Sequence, residues 1–386
     1  MDGKMSFDER PFIAIWETTQ ACDLACLHCR ACAQPARNPL ELNTAEARRL
    51  IDEIAAMQVP VFVLTGGDPL KRLDIFDLVR YAAERNVRIS LTPSATPLLT
   101  RENIVRLKEC GLARLAVSLD GATAEVHDAF RRVAGSYDWT LNAVRWARAV
   151  GLPVQINTTI TRHNLTMLDD TIALLETLDI VLWSVFFLVP TGRGETVDRI
   201  SAEEFEQVFA KLHETSKRVM FDIKSTEAQH YRRFLLQRRT EARRKGEEPA
   251  GSFRCTPHYG EPMAMETPDG IGRAPRGIND GKGFVFVSHL GEVYPSGFLP
   301  VSGGNIRKQS LGEIYRNSPL FRSLRDSQNL EGKCGRCEFR EICGGSRARA
   351  YAVTGNLFAE EPCCVYEPKR HALRPAEAVL FQAIAL

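Results

Sequence analysis

From residue 11 to about residue 190, short β-branched and apolar runs alternate with longer amphipathic stretches. Phe12–Trp16 is predicted as the first strand, and Thr44–Met57 carries apolar residues at helical spacing. The alternation continues as strand Val61–Leu64, helix Ile75–Arg85, strand Val87–Leu91, helix Arg101–Cys110 and strand Leu115–Ser118. Helix Trp139–Val150, strand Val154–Ile160, helix Leu165–Leu178 and strand Val181–Val189 complete it. Strands joined by crossover helices lie parallel in one sheet, so the pattern predicts an α/β fold with six strands. Six units are too few to close an eight-fold barrel. They predict an open, partial (β/α)6 barrel with a wide mouth and with reactive groups at the C-terminal ends of its strands.

Beyond residue 194 the pattern changes. Residues 195 to about 250 read as helical and polar, with a basic run from Tyr231-Arg232-Arg233 to Arg243-Arg244-Lys245. That run is either a solvated helix face or a docking surface for an acidic substrate or electron donor. Glycine- and proline-containing loops then lead to a hairpin: Phe284–Ser288, a turn at Gly291, and Val293-Tyr294. The expected organisation is a tail (1–10), the barrel (11–194), a helical connection (195–250), a cysteine-bearing domain (251–368) and a second tail (369–386).

The 386 residues suffice for one large core or two smaller ones. With 50 basic and 48 acidic residues the net charge is +2, which gives no sign of a nucleic-acid surface. No apolar run is long enough to span a bilayer, and the polar start Met1-Asp2-Gly3-Lys4 is not a signal peptide. A cytoplasmic protein is therefore expected, with no membrane partner. Of the eleven cysteines, eight (nine with Cys32) fall in two groups with metal-ligand spacing. In a reducing compartment such grouping points to metal rather than disulfide. Cys110, ending a helical run, reads as a small buried hydrophobe.

The N-terminal group is Cys22, Cys26 and Cys29, a C-x3-C-x2-C array directly after the first strand. Three thiolates can hold three irons of a [4Fe–4S] cube and leave the fourth open to a small polar cofactor. The competing possibility is a zinc knuckle that borrows a fourth ligand such as Cys32. The second strand ends in Thr65-Gly66-Gly67-Asp68-Pro69, where two glycines allow close backbone approach and carbonyls can accept from an ammonium. The fourth ends in Ser118-Leu119-Asp120-Gly121, followed by His127-Asp128-Ala129-Phe130-Arg131-Arg132. The fifth carries Asn157, and the sixth ends in Pro190-Thr191-Gly192-Arg193-Gly194.

These motifs, in this order at strand ends, resemble those of radical S-adenosylmethionine (SAM) enzymes, with His28 before the third cysteine and Asp68 in place of a common glutamate. The resemblance implies that the open iron takes the amino and carboxylate groups of SAM. Reductive cleavage would give a 5′-deoxyadenosyl radical that abstracts a substrate hydrogen. It also implies that Gly66, Gly67 and Asp68 hold the SAM amino group. Ser118 would bind its carboxylate or ribose, Arg131 (or Arg132) its carboxylate, and Asn157 its ribose. Asp120 would serve the substrate or cap its turn.

The C-terminal group is Cys334-Gly335-Arg336-Cys337, then Cys343, then Cys363-Cys364. It resembles the SPASM extension, which normally binds two auxiliary clusters, but it is incomplete. Ser296 and Ser346 stand where related sequences carry cysteine, and only Cys255 remains for a first auxiliary cluster. One auxiliary [4Fe–4S] cluster is expected, held by Cys334, Cys337, Cys343 and either Cys363 or Cys364, for two clusters in all. A four-thiolate structural zinc is the alternative.

The Trp183–Gly194 stretch and Arg347-Ala348-Arg349-Ala350-Tyr351 resemble the branch that includes heme and heme d1 biosynthesis enzymes, which remove propionate carbons. An oxidoreductase acting on a tetrapyrrole or similar cofactor precursor is expected, with flavodoxin or ferredoxin as reductant. The alternatives are a maturase of ribosomally made peptides and a non-catalytic Fe–S electron carrier. About ten residues before the first strand leave no room for a leader-binding module, which disfavours the maturase.

Overall fold

The computed structural model describes residues 6–246 and 277–369. Seven parallel strands run in chain order: β1 (Ile13–Glu17), β2 (Val61–Thr65), β3 (Ile89–Leu91), β4 (Arg114–Ser118), β5 (Val154–Ile160), β6 (Leu182–Phe187) and β7 (Asp222–Thr226). Crossovers are made by α1 (Thr44–Ala56), α2 (Ile75–Glu84), α3 (Arg101–Glu109), α4 (Ala124–Arg131), α5 (Ser136–Ala149), α6 (Leu168–Glu176) and α7 (Ala202–Ser216). α1 shows why these segments are helical. Asn43 and Glu46 form a reciprocal capping box, and Ala47, Leu50, Ile51 and Ile54 put one apolar stripe on the sheet. Alternate strand residues such as Trp16, Phe62, Leu64 and Trp183 face that helical layer and are fully buried.

The expected six-stranded partial barrel is present, extended at both ends. β7 lies inside the segment expected to be helical and pairs with β6, Ile223 opposite Trp183. Its sequence, Asp222-Ile223-Lys224-Ser225-Thr226, offers one apolar residue, because Lys224 and Thr226 line an interior cavity rather than a packed core. At the other end, β8 (Phe284–Val287) pairs in parallel with β1, Phe286 opposite Ile15. β9 (Glu292–Tyr294) and β10 (Gly304–Asn305) follow antiparallel. The C-terminal hairpin is therefore part of one ten-stranded sheet, ordered β10-β9-β8-β1-β2-β3-β4-β5-β6-β7.

The basic run forms α8 (Tyr231–Arg244). Its first turn is not a solvated face: Arg233 is buried, paired with Glu206, and stacked over Tyr366 at 5.3 Å. α9 (Leu311–Asn317), α10 (Pro319–Arg325), α11 (Gly332–Gly335) and α12 (Arg347–Thr354) complete the C-terminal part. Among the described residues, no helix is long and apolar enough to cross a membrane.

Candidate active site

The cysteine loop leaves β1 and is gripped from three sides. After β2, Gly67 N–H donates to Thr19 O (2.8 Å) and Asp68 N–H to Ala21 O (2.6 Å). A Cβ at Gly66 would stand 2.4 Å from Thr19 O, and one at Gly67 2.4 Å from Ala21 O, so only glycine admits this approach. After β6, Arg193 donates from its backbone N–H to Cys29 O and from Nε to Cys26 O, both at 3.0 Å. Gly192 (φ +62°) packs there, its Cβ position 2.4 Å from Cys29 O. From α4, the carbonyl of Phe130 accepts Leu27 N–H at 3.0 Å, and the Phe130 ring stacks on His28 at 4.6 Å. Burial and the nearby Arg131 and Arg193 push the His28 imidazole well below its usual range, so it is neutral. Cys22 and Cys26 are buried and Cys29 half-buried.

Beside this loop a cavity of about 130 Å³ is lined by Gly66, Gly67, Ser94, Ser118, His127 and Arg131, among others. Arg131 is buried, ion-paired with Asp120 and 3.5 Å by Nη1 from Cys26 Sγ, whereas Arg132 is exposed. Asp120 spends its second oxygen on Thr159 N–H (2.7 Å), so it orients Arg131. Arg131 Nε has no hydrogen-bond partner among the described residues. A buried guanidinium nitrogen left unmatched beside a polar cavity fits a carboxylate-bearing cofactor such as SAM.

Asp68 lies off this cavity. Its oxygens accept from Thr96 Oγ1 (2.7 Å) and Leu70 N–H (3.1 Å), and burial pushes its carboxyl up to about 6. Sequence reasoning passed over Ser94, which donates to Gly67 O (2.7 Å) and stands 3.2 Å from Cys22 Sγ. The strand-end rule would have found it, because Thr92-Pro93-Ser94 follows β3 as the other motifs follow their strands.

A second cavity, of about 220 Å³, occupies the barrel interior. Thr65 and Thr92 line both cavities, so the two adjoin. Ile13, Ile15, Val61, Val63, Phe284 and Phe286 form an apolar wall, while Arg30, Arg114, Lys224 and Arg232 add positive charge. Asn157 belongs to this larger cavity and accepts from Gln155 Nε2 at 2.6 Å. Arg30, next to Cys29, pairs with Glu17 (3.1 Å) and lies over Phe286 at 4.4 Å. Burial opposes charge on Glu17, but Arg30 and His289 (2.8 Å) outweigh it and hold the carboxyl below its usual range.

In the C-terminal part, Cys334, Cys337, Cys343 and Cys364 line one pocket with His230, Arg233 and Tyr366. Burial pushes all four thiols up, Cys337 to about 12. Cys363 is off this pocket; its thiol hydrogen-bonds Arg349. Cys255 lies outside the described residues. Ser296 and Ser346 both donate to one buried carboxyl, Glu227, at 3.1 and 2.6 Å. Among the described residues no three His, Cys, Asp or Glu side chains converge on a single metal-ion-sized point. The four C-terminal thiols stand around a pocket instead.

Comparison with known proteins gives the family. Residues 16–175 match the radical SAM superfamily, and residues 279–338 match the SPASM iron–sulfur cluster-binding domain. An AdoMet-dependent heme synthase of Methanosarcina barkeri is 40% identical over 93% of this chain and 97% of its own. A mycofactocin maturase of Mycobacterium tuberculosis is 31% identical over 95% and 88%. SAM-bound SuiB of Streptococcus suis superposes with a TM-score of 0.68 at 15% identity, over 93% of this chain and 78% of its own. The chain is therefore a SAM-dependent iron–sulfur enzyme, and it belongs to the radical SAM superfamily, with a C-terminal SPASM domain.

Proposed function

We propose that this enzyme acts on an iron porphyrin or a closely related tetrapyrrole, removing carbon from propionate side chains. The supporting observation is the pair of adjoining cavities: one with an unmatched Arg131 nitrogen beside three cysteines, the other apolar-walled with four cationic side chains. A macrocycle needs the apolar wall, and its propionates need the cations. The 40% identity to heme synthases over nearly the whole chain supports the same substrate class.

Cys22, Cys26 and Cys29 would hold the catalytic cluster. Gly66 and Gly67 would bring backbone against the SAM amino group, Arg131 would bind its carboxylate, and Ser118 would hydrogen-bond it. When bound, cluster and SAM supply one-electron reduction and a hydrogen-abstracting adenosyl group. Asp120 keeps Arg131 charged and aimed; Asp68 fixes the Gly66–Pro69 turn. Thr65 and Thr92, on the shared wall, set the contact between the cofactor side and the substrate side. Cys334, Cys337, Cys343 and Cys364 would ligate the auxiliary cluster, and a flavodoxin or ferredoxin would supply electrons.

The test is anaerobic incubation of reconstituted protein with SAM, dithionite and Fe-coproporphyrin III, followed by mass spectrometry. The expected products are 5′-deoxyadenosine and a porphyrin short of propionate carboxyl groups. SAM cleavage that leaves the porphyrin intact would remove this substrate class.

A further inference from the structure

Two buried carboxyls stand on the wall of the larger cavity with no place in the scheme above. Glu227 directly follows β7 and Asp280 lies in the loop before β8; both line the cavity. Glu227 is held in an unusual backbone conformation, φ +56°, by Arg349, whose two terminal nitrogens donate to the Glu227 carbonyl. A non-glycine residue at positive φ persists only where its surroundings over-determine it. Its side-chain oxygens meet Ser296 Oγ and Ser346 Oγ. Asp280 accepts from Ala348 N–H (3.0 Å) and is also hydrogen-bonded to Ser296.

When Ser296 donates its one hydroxyl proton to Glu227, its contact with Asp280 is a hydrogen bond only if Asp280 carries a proton, and the reverse holds when it donates to Asp280. The charges around the pair do not remove that need. Arg349 is also ion-paired with Glu361 at 3.3 Å, and Arg347, the other cation facing Asp280, donates to the carbonyls of Leu357 and Ala359. Burial first, then mutual repulsion, pushes Glu227 up, and burial pushes Asp280 up. The same wall carries a buried acceptor. Gln229, 9% exposed and lining the same cavity, donates to Asn279 Oδ1 (2.9 Å). That bond fixes its amide, and its Oε1 has no partner among the described residues. A bound water or a donor group of an occupant would complete it.

We propose that Glu227 and Asp280 share one proton through Ser296, so that the pair meets the larger cavity with one negative charge rather than two and repels a carboxylate of the substrate less. The proposal rests on a carboxylate-bearing substrate as inferred above. Two ionised acids would repel such a ligand and cancel part of the attraction of Arg30, Arg114, Lys224 and Arg232. One shared proton weakens that repulsion. Raising the pH removes the proton and should weaken binding.

The probe is metal-free coproporphyrin III, followed by fluorescence with the reconstituted wild-type protein and with E227Q/D280N, each checked for unchanged iron content. With Glu227 pushed up to about 8, the neutral fraction falls about tenfold between pH 7 and pH 9, and affinity should fall with it. The double variant E227Q/D280N, neutral at both positions, should bind with a flat profile across that range. Equal slopes in wild type and E227Q/D280N would overturn the proposal. Infrared difference spectra decide the proton without any ligand: wild type should show a protonated-carboxyl band at pH 7 that falls about tenfold by pH 9 and is missing in E227Q/D280N. Absence of that band in wild type overturns the pair. If coproporphyrin fails to bind at every pH, the tetrapyrrole assignment falls, and the infrared titration still decides the carboxyls.

Discussion

Replacing Gly67 by alanine should damage catalysis far more than it damages folding. The new methyl would stand 2.4 Å from Ala21 O, 2.6 Å from Gln20 O and 2.7 Å from Ala21 C. All three are backbone atoms of the cysteine loop, so no flexible side chain can step aside. Restoring an ordinary contact of about 3.4 Å means moving loop and strand end apart by about 1 Å. The hydrogen bonds Gly67 N–H to Thr19 O and Asp68 N–H to Ala21 O would stretch with it. Overpacking of this kind costs about 1–3 kcal/mol of stability. A displacement of about 1 Å between groups that must act together can cost about a hundredfold in rate. G67A should therefore keep its fold and most of its iron while 5′-deoxyadenosine formation falls about a hundredfold. G246A is the control: no atom lies within 4 Å of its added methyl, and its φ of +68° makes the cost purely conformational. It should lose stability and keep SAM cleavage. Wild-type cleavage rates in G67A would refute the reasoning, because they would mean that the grip of the β2 turn on the cysteine loop does not set cluster and cofactor geometry.

Changing Cys22, Cys26 and Cys29 together to alanine should remove about four irons per chain and abolish 5′-deoxyadenosine formation; residual SAM cleavage would contradict the cluster assignment. C364S should lower iron by about four per chain and C363S should not, and iron analysis giving the reverse would mean that the pocket geometry misassigns the fourth ligand. Fully reconstituted protein should carry about eight irons rather than about twelve, with Mössbauer spectroscopy separating two clusters from three. R131A should weaken SAM binding by about 1.5–3 kcal/mol, about 12- to 150-fold, by loss of a charge-assisted contact, while R132A leaves it unchanged; calorimetric titration compares them.

Much of the chemistry could be read along the chain because it is local. Cys22, Cys26 and Cys29 lie within eight residues of one another, and the glycines of the β2 turn are adjacent, so their spacing is visible without any fold. The first six strands were also legible, since most carry enough apolar residues to announce burial. β7 was not. Four of its five residues are polar, and Lys224, Ser225 and Thr226 line the larger cavity, so Ile223 alone carries a hydrophobic signal.

What the sequence by itself determined is the superfamily, the alternating α/β architecture and the two sets of cysteines, because each depends on residues close together in the chain. Tertiary structure alone decided how distant residues meet. It places Cys364, and not Cys363, on a pocket assembled from several distant segments. The last turn of α4 buries Arg131 and leaves Arg132 exposed. The meeting of Glu227, Asp280, Ser296 and Ser346 joins residues more than a hundred positions apart at its extremes. Such a group has no spacing that a sequence can display. It exists because β8 pairs with β1 and brings the C-terminal part of the chain against the open side of the barrel, where burial then changes the chemistry of acids that look ordinary in the sequence.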